Sequence, residues 1–331
     1  IITKNIQDIA QKMNVSIATV SKALNGSSDI AKDTRRQIRE YAAQVGYRSR
    51  KSLSCNGRLA LLWGKEIQSG DFGALAKIAE AFCKTAQQER YEVVVKTMAE
   101  EGFRLNDYLA DHHFYGAFLL DLNFFSPVYA QLKKTRYPLV LLDNYLTDNE
   151  RISGIGSENI LSTECAVDYL VSLGHKKIAF LDGERQSLVS AERLAGYILG
   201  LSKNSIEYRC ELTYFGDFSR RAGSDAAEYF HCKDFTAAVC ASDLMAAGLI
   251  DRLREYGKRV PEDISVVGFD DLEVFRLPPY RLTTLRQDFD QIGEKAFRIL
   301  ESMIKGQPSQ RCVLGCTLLP RGTTRKLEEV F

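Results

Sequence analysis

Apolar residues in the first fifty positions recur at i, i+3, i+4 and i+7, the spacing of one α-helix face. The first series comprises Ile6, Ile9, Ala10 and Met13, and the last comprises Ile38, Tyr41, Ala42 and Val45. We expect the first helix to begin after an N-cap at Asn5 and to end near Asn14. The last helix is expected to run from about Lys32 to a stop at Gly46.

A second short helix is expected between these two, from Ile17 to Asn25, with Ser16 as its N-cap. The few residues that separate it from the first helix leave room only for a tight turn, which is the pattern of a helix-turn-helix. On a helical wheel, the inward face carries Val20, Ala23 and Leu24, and the opposite face carries Ile17, Ala18 and Lys22. Three such helices can share one small core.

From residue 59 onward, short apolar runs alternate with amphipathic helical stretches. The predicted strands are residues 59–63, 91–96, 117–121, 138–143, 177–182, 236–242 and 264–270, and the clearest helices are residues 74–89, 161–174 and 245–257. Near-continuous apolar strands separated by helices predict parallel sheets that are covered on both faces. Two such series over about 270 residues predict two subdomains, which meet near the polar, glycine-containing stretch 148–158.

The fold class is therefore α/β, with a three-helix helix-turn-helix head followed by a doubly wound body of two subdomains. We expect a head at residues 1–46, a short basic linker at 47–58 and an effector-binding and dimerisation body at 59–331. Within the body, the first subdomain is expected to comprise about 59–150 plus 287–316, and the second about 155–285 plus 318–327.

Positive charge is concentrated in the head and linker. Residues 1–58 contain eleven Lys or Arg and four Asp or Glu, a net charge of +7, whereas the whole chain has +1, which leaves −6 for the remainder. A basic head on a mildly acidic body is typical of a protein in which one module attracts phosphates. Because this asymmetry coincides with the helix-turn-helix pattern, it favours DNA as the partner.

The head resembles that of the lactose/galactose repressor (LacI/GalR) family, through NIQDIAQKMNVSIATVSKALNG, the Thr-Arg of KDTRRQI and the Gly-Tyr of VGYR. The resemblance implies that the second helix docks in the major groove, where Lys22 donates to guanine, and Ile17 and Ala18 contact thymine methyl groups. The phosphate contacts that it implies are Thr19, Ser21 and Asn25.

The linker departs from the family pattern. Family members fold a hinge helix here and insert a leucine into the minor groove, after a Pro-Asn and an Ala-Arg-x-Leu pattern. The linker of this chain has no Pro-Asn and is several residues shorter. Leu53 is therefore the one candidate for the leucine wedge in the minor groove. A basic linker without a hinge helix is the alternative, and in that case the usual bending of the operator would be absent.

Four predicted strands end in an aspartate: Asp121, Asp143, Asp182 and Asp270. In doubly wound folds, ligands bind at the carboxyl ends of the strands, and in a two-subdomain body the expected place is the crevice between the subdomains. A strand-end aspartate is also a common helix cap or turn former, so position alone does not assign these residues to a ligand.

The family resemblance extends over the body, through SLGHKKIAFLDG, SAERLAGY, the run from CASDLMAAG to VVGFDD, LTTLRQDF and LLPRGTT. It implies that four residues hydrogen-bond a small effector: Asp143, Arg193, Ser242 and Asp270. It also places Phe218 at the position of a stacking aromatic residue and Phe289 at another pocket position, although a core role is the alternative for Phe218.

Ser242 stands where the family usually has Asn, which removes one donor and one acceptor. A sugar is the expected effector, and phosphorylated, nucleoside and purine effectors stay open. The eight cysteines form no C-x-x-C pair, the four histidines do not cluster, and no phosphate-binding or nucleophile motif occurs, so we expect no cofactor, no metal and no enzymatic activity.

The expected function is a transcriptional repressor that binds a pseudo-palindromic operator as a homodimer and responds to a small molecule. Without a signal peptide or a long apolar segment, it is expected in the cytoplasm, with no membrane partner. One alternative is a solute-binding protein, which would need an export signal and would have no use for a helical head. A sugar-acting α/β enzyme would need an activated nucleophile or paired carboxylates, for which Asp143 and Asp270 are the candidates.

Overall fold

A computed structural model gives the structure of the protein and describes residues 6–24, 30–45, 47, 55–64, 73–100 and 102–327. The described chain forms two compact units. Unit 1 comprises residues 1–122, 126–155 and 290–312, and unit 2 comprises 123–125, 156–289 and 313–331. The chain passes between the units at several points, one of them between Ile155 and Gly156.

The first three elements are the helices α1 (Ile6–Lys12), α2 (Ile17–Leu24) and α3 (Lys32–Gln44). Their start and end positions agree with the sequence prediction, except that Asn5, Asn25 and Gly46 lie outside the described residues. The predicted cap of α2 is confirmed, since Ser16 Oγ accepts a hydrogen bond from the backbone N–H of Thr19 at 3.0 Å. The helices enclose one small core, built from Ile9, Ala10, Val20, Ala23, Ile38 and Ala42.

The body elements follow in chain order: β1 (Gly57–Trp63), α4 (Ala74–Gln88), β2 (Tyr91–Thr97), α5 (Leu105–Asp111), β3 (Gly116–Leu120), α6 (Tyr129–Leu132), β4 (Leu139–Leu142), β5 (Ile152–Ser157), α7 (Asn159–Ser172), β6 (Ile178–Asp182), α8 (Leu188–Lys203), β7 (Thr213–Phe215), α9 (Arg220–Phe230), β8 (Ala237–Cys240), α10 (Asp243–Glu255), β9 (Ser265–Asp270), β10 (Thr283–Arg286), α11 (Phe289–Ile304), β11 (Arg311–Leu314) and β12 (Thr317–Leu319). Alternation of strands and helices confirms the α/β class.

The strands form two six-stranded sheets, in the orders β11-β5-β4-β3-β1-β2 and β12-β10-β9-β8-β6-β7. In the first sheet, β1, β2, β3, β4 and β5 pair in parallel. In the second, β6 to β10 pair in parallel and β12 joins β10 antiparallel. Parallel pairing brings the carboxyl ends of the strands to one edge of each sheet, which is where the strand-end aspartates lie.

All seven predicted strands are confirmed, and five strands were not predicted: β5, β7, β10, β11 and β12. Four of these have three or four residues, and each contains a Thr or Arg that interrupts the apolar run typical of the predicted strands. The fifth, β5, has the sequence ISGIGS within the stretch read as a break, yet every residue in it is buried. A Cβ on Gly154 would lie 2.5 Å from the carbonyl oxygen of Asn144, so close packing explains the glycine there.

Each unit has its own apolar core around its sheet. In unit 2, the rings of Phe180 and Tyr197 stack with centroids 4.8 Å apart, and both side chains are fully buried. The Tyr197 hydroxyl donates to the carbonyl oxygen of Ile178 at 2.8 Å, so the buried phenol keeps a partner. These contacts hold α8 against β6, which positions the candidate site described below.

The second aspartate of the sequence GFDD is a structural anchor. Asp271 is 2% exposed, and its two carboxylate oxygens accept from Arg321 at 2.6 Å and from Arg276 at 3.0 Å. The Arg321 side chain also donates to the carbonyl oxygen of Leu282 at 2.8 Å. This cluster fixes the chain that leaves β9 against the segment that follows β12.

We expect Asp271→Ala to lower the free energy of unfolding by about 2 kcal/mol, because it removes the buried acceptor of two partly exposed guanidinium groups. Thermal and urea unfolding of the full chain measure the change. The matched control is Asp225→Ala, which removes an exposed carboxylate 3.8 Å from Arg221 and should leave the melting temperature unchanged. Equal melting temperatures for the two variants would contradict the anchoring role.

Candidate DNA interface and effector site

The outward face of α2 carries the residues that the sequence predicts to read bases. Ile17 is 46% exposed, and Ala18 and Lys22 are also exposed, whereas Val20 and Ala23 on the opposite face are fully buried. Core packing therefore does not explain the large apolar side chain at Ile17. The predicted separation of an inner and an outer face of this helix is confirmed.

The residues predicted to contact phosphates differ in their surroundings. The Thr19 hydroxyl lies 2.8 Å from Ser16 Oγ, so it also takes part in capping α2. Ser21 is half-buried on the same helix. Asn25 and the candidate wedge Leu53 lie outside the described residues. DNA binding stays a prediction for each of these residues.

An arginine on α3 fixes the end of α2. Arg39 Nε donates to the carbonyl oxygen of Ala23 at 2.7 Å. This carbonyl belongs to the last turn of α2, where oxygens have no partner within the helix, so a cation is favourable there. Burial, together with the charge of Arg35, lowers the pKa of Arg39 to about 10, so it stays charged at neutral pH. The contact sets the orientation of α2 and hence of its exposed face.

In unit 2, Arg193 of α8 is buried, 4% exposed, and contacts three other elements. Its Nε donates to Asn159 Oδ1 at 2.9 Å, its Nη1 donates to the carbonyl oxygen of Ala241, and its guanidinium lies 3.6 Å from the centre of the Phe269 ring. These contacts join the start of α7, the end of β8 and strand β9. The predicted effector-binding arginine is thus already ordered by the protein.

Ser242 caps a helix and holds the neighbouring loop. Its Oγ accepts from the backbone N–H of Met245 at 3.2 Å and donates to the carbonyl oxygen of Phe218 at 3.0 Å. Because its one donor is used for Phe218, the hydroxyl has only acceptor capacity left for an effector. Ser242 is therefore placed to position Phe218, in addition to any contact with an effector.

Phe218 has an unusual backbone conformation. Its φ of 67° lies in the left-handed region, which is uncommon for a bulky residue other than glycine. Its ring packs against Gly183, where an added Cβ would lie 2.0 Å from ring atom Cζ. The side chain is half-buried, so the ring is neither fully in the core nor fully in solvent. Backbone strain of this kind is typical of functional sites.

Asp270 ends β9 and belongs to a short hydrogen-bonded chain. Its Oδ1 accepts from Gln287 Nε2 at 2.6 Å, and Gln287 Oε1 accepts from the Ser157 hydroxyl at 2.6 Å. Asp243 lies near Asp270, and its pKa is raised well above the usual range by burial and by the Asp270 charge. Asp243 packs within the protein, since both of its oxygens accept hydrogen bonds there, one of them from the Thr284 hydroxyl at 2.6 Å.

The remaining predicted effector residues are Asp143 and Phe289. Asp143 belongs to unit 1, directly after β4, where its φ is 52° and its side chain is half-buried. Its backbone N–H donates to the carbonyl oxygen of Ile155 at 2.7 Å. Phe289 is the first residue of α11 and is 7% exposed, which makes it largely a packing residue.

The sequence analysis missed two residues of the unit 2 site, Asn159 and Gln287. Asn159 follows β5, which was not predicted, so no strand end drew attention to it. Gln287 lies two residues before Phe289 in RQDF and follows β10, which was not predicted either. Among the described residues, no group of three or more His, Cys, Asp or Glu is arranged to hold a metal, and no described helix could cross a membrane.

Comparison with known proteins identifies both parts of the chain. Residues 5–49 match the family of bacterial regulatory proteins, lacI family, and residues 167–324 match the periplasmic binding protein-like domain. The chain is 31% identical to the HTH-type transcriptional regulator MalR of Streptomyces coelicolor over 342 residues, which covers 97% of each chain.

Two solved structures extend the similarity to the fold of nearly the whole chain. A transcriptional regulator CelR–cellobiose complex is 28% identical with a TM-score of 0.75, over 97% of this chain and 99% of that one. The lac repressor dimer bound to operator and an anti-inducer is 26% identical with a TM-score of 0.68, over 97% and 99%. This chain thus belongs to the lacI family of bacterial regulatory proteins and is a DNA-binding transcriptional regulator, not an enzyme.

Proposed function

We propose that this regulator is a repressor that binds a pseudo-palindromic operator as a homodimer and responds to an uncharged, hydroxyl-rich effector, most simply a sugar. The observation that carries the effector proposal is the buried guanidinium of Arg193 at the carboxyl edge of the unit 2 sheet. The CelR–cellobiose complex and the operator-bound lac repressor dimer support the classes of partner.

The charges at this edge favour a neutral effector over a phosphorylated one. Asp182, Asp243 and Asp270 are buried there, and among the described residues Arg193 is a buried cation beside them. Arg193 Nε donates to Asn159 and Nη1 donates to a backbone carbonyl, which leaves N–H groups on the terminal nitrogens for effector hydroxyl groups. The Asp270 carboxylate would repel an anionic group, whereas a hydroxyl group can donate to it.

The DNA proposal rests on the outward face of α2. A recognition helix reads bases with side chains near its N-terminus while its other face packs on the head. Ile17, Ala18 and Lys22 satisfy this arrangement, since they are exposed and Val20 and Ala23 are buried. In a dimer, two such helices would read half-sites about one DNA turn apart, or a multiple of that.

We expect Lys22→Ala to relax base preference at one position of each half-site by about 1 to 3 kcal/mol, because a lysine that donates to guanine discriminates by that amount. Binding to a pool of randomised half-sites, sequenced after selection, measures the preference. The matched control is Lys12→Ala, an exposed lysine at the end of α1, which should leave the preferred sequence unchanged. Uniform weakening on all sequences by Lys22→Ala would make it a phosphate contact.

We expect Arg193→Ala to weaken effector binding at least tenfold, since a hydrogen bond to a charged group contributes about 1.5 to 3 kcal/mol. The measurement is a melting-shift screen of the full chain against mono- and disaccharides, sugar phosphates, nucleosides and purines, followed by calorimetry of each hit. The control is Arg209→Ala, an exposed arginine paired with Glu211. A hit that is unchanged by Arg193→Ala, or hits confined to sugar phosphates, would contradict the proposal.

A further inference from the structure

One face of the last head helix, α3, lies against the body within unit 1. Arg36, Arg39 and Glu40 are spaced at i, i+3 and i+4, which places their side chains on the same face of the helix. Arg36 Nη1 lies 4.0 Å from Asp107 Oδ1 in α5. Glu40 Oε2 lies 3.7 Å from Arg136 Nη1, in the segment before β4. The head is therefore in direct contact with the body, in addition to being joined to it by the linker.

The body surface that receives this helix face is built on the core of unit 1. Leu105 and Leu109 of α5 are fully buried in that core, and Tyr137 beside them is 6% exposed. The aspartates of α5 are four residues apart and lie on its outer side, where both are at least partly exposed. We define the head-docking face as four residues: Asp107, Asp111, Arg136 and Tyr137.

The charges of the two faces are complementary. The two arginines of α3 meet the two aspartates of α5, and Glu40 meets Arg136. Burial raises the pKa of Tyr137 above its usual range, and the charge of Glu40 raises it further, which places the two side chains close together. Exposed ion pairs are weak when they act singly, so a stable contact requires several of them to act as a network. This arrangement of opposite charges fits one occupant, the α3 face of this chain.

Arg39 connects the head-docking face to α2. Its Nε donates to the carbonyl oxygen of Ala23 in the last turn of α2 at 2.7 Å, and its charge interacts with Asp111 and Tyr137 of the body. The beginning of the body is tied to the same region, since Arg58 Nη1 in β1 donates to the carbonyl oxygen of the residue that follows α5 at 2.6 Å. One guanidinium therefore links the end of α2 to the body surface.

We propose that the head-docking face of unit 1 holds the DNA-binding head of the same chain, and that the docked head gives α2 a fixed position relative to unit 1. The contact would define this position whether or not the linker folds into a helix. In a dimer, the distance between the two α2 helices would then follow from where each head docks. The proposal depends on neither the identity of the effector nor the operator sequence.

The experiment is hydrogen–deuterium exchange of the full chain without DNA or effector, measured by mass spectrometry. We expect Glu40→Arg and Arg136→Glu each to speed amide exchange in α5 by about two- to fivefold, because each replaces an attraction by a repulsion. The double variant restores opposite charges in reversed order, so its exchange should return to within about twofold of the wild type. Unchanged exchange in α1 shows that the head stays folded in each variant.

The matched control is Asp225→Arg, which places like charges together at the exposed pair with Arg221 in unit 2 and should leave exchange in α3 and α5 unchanged. If both single variants exchange as the wild type does, the head is not held by this contact and the proposal is overturned. A double variant that exchanges as fast as the single variants also overturns it, because the charges then do not act on each other.

A conservative variant decides the question should the charge reversals unfold the head. Arg136→Lys keeps the positive charge and introduces an amine, which a carbodiimide should couple to the Glu40 carboxylate, whereas Arg136→Gln should give no such product. A mixture of isotopically light and heavy protein shows whether the joined peptides come from one chain. Absence of the product, or a product formed only between two chains, would overturn docking of the head on its own body.

Discussion

The buried guanidinium of Arg193 is the interaction on which the unit 2 site depends. A charge this deep is tolerated only when its donors have acceptors and its faces have favourable neighbours. Asn159 and the carbonyl oxygen of Ala241 supply the acceptors, and the Phe269 ring supplies the face. Since these partners come from α7, from the end of β8 and from β9, the ends of these elements are fixed relative to one another by one side chain.

Phe218, the predicted aromatic platform, is likewise held in place by a few contacts. A phenylalanine with φ of 67° is strained, so its conformation must be held by surrounding contacts. The Ser242 hydroxyl bonds the Phe218 carbonyl oxygen, and Gly183 leaves room for the ring. An asparagine at residue 242 has a longer side chain and different donor geometry. The exchange of Asn for Ser therefore bears on the platform as well as on direct contact with an effector.

The amount that the sequence predicts varies with the strength of the local pattern. Seven apolar strands and the three head helices were predicted, because burial on both faces of a strand leaves a continuous apolar run and a shared helical core leaves a periodic one. Strand β5 was not, since ISGIGS reads as a turn and its burial depends on packing against Asn144. The hydrogen bond of Ser242 to Phe218 joins residues far apart in the sequence, which no local pattern reveals.

The role of Asp182 likewise could not be predicted from the local sequence alone. Its position at the end of an apolar strand is visible in the sequence, and three other strands end in the same way. Whether such an aspartate caps a turn or faces a ligand depends on what its two oxygens meet. One oxygen accepts from the backbone N–H of Gly183, as in a turn, and the whole side chain is buried beside Ser190 and Arg193, which only the assembled structure shows.

In the helical head, different residues form the core and the predicted binding face, whereas in unit 2 the same residues do both. In α2, Val20 and Ala23 face the core while Ile17, Ala18 and Lys22 face outward, so the outward residues can change with little effect on packing. In unit 2, Arg193 and Ser242 take part in both packing and the candidate site. A new operator preference therefore requires only surface substitutions, whereas a new effector preference requires packing to change with it. This difference follows from the proposed place of each partner: on an exposed helix face for DNA, and at the buried edge of a sheet for the effector.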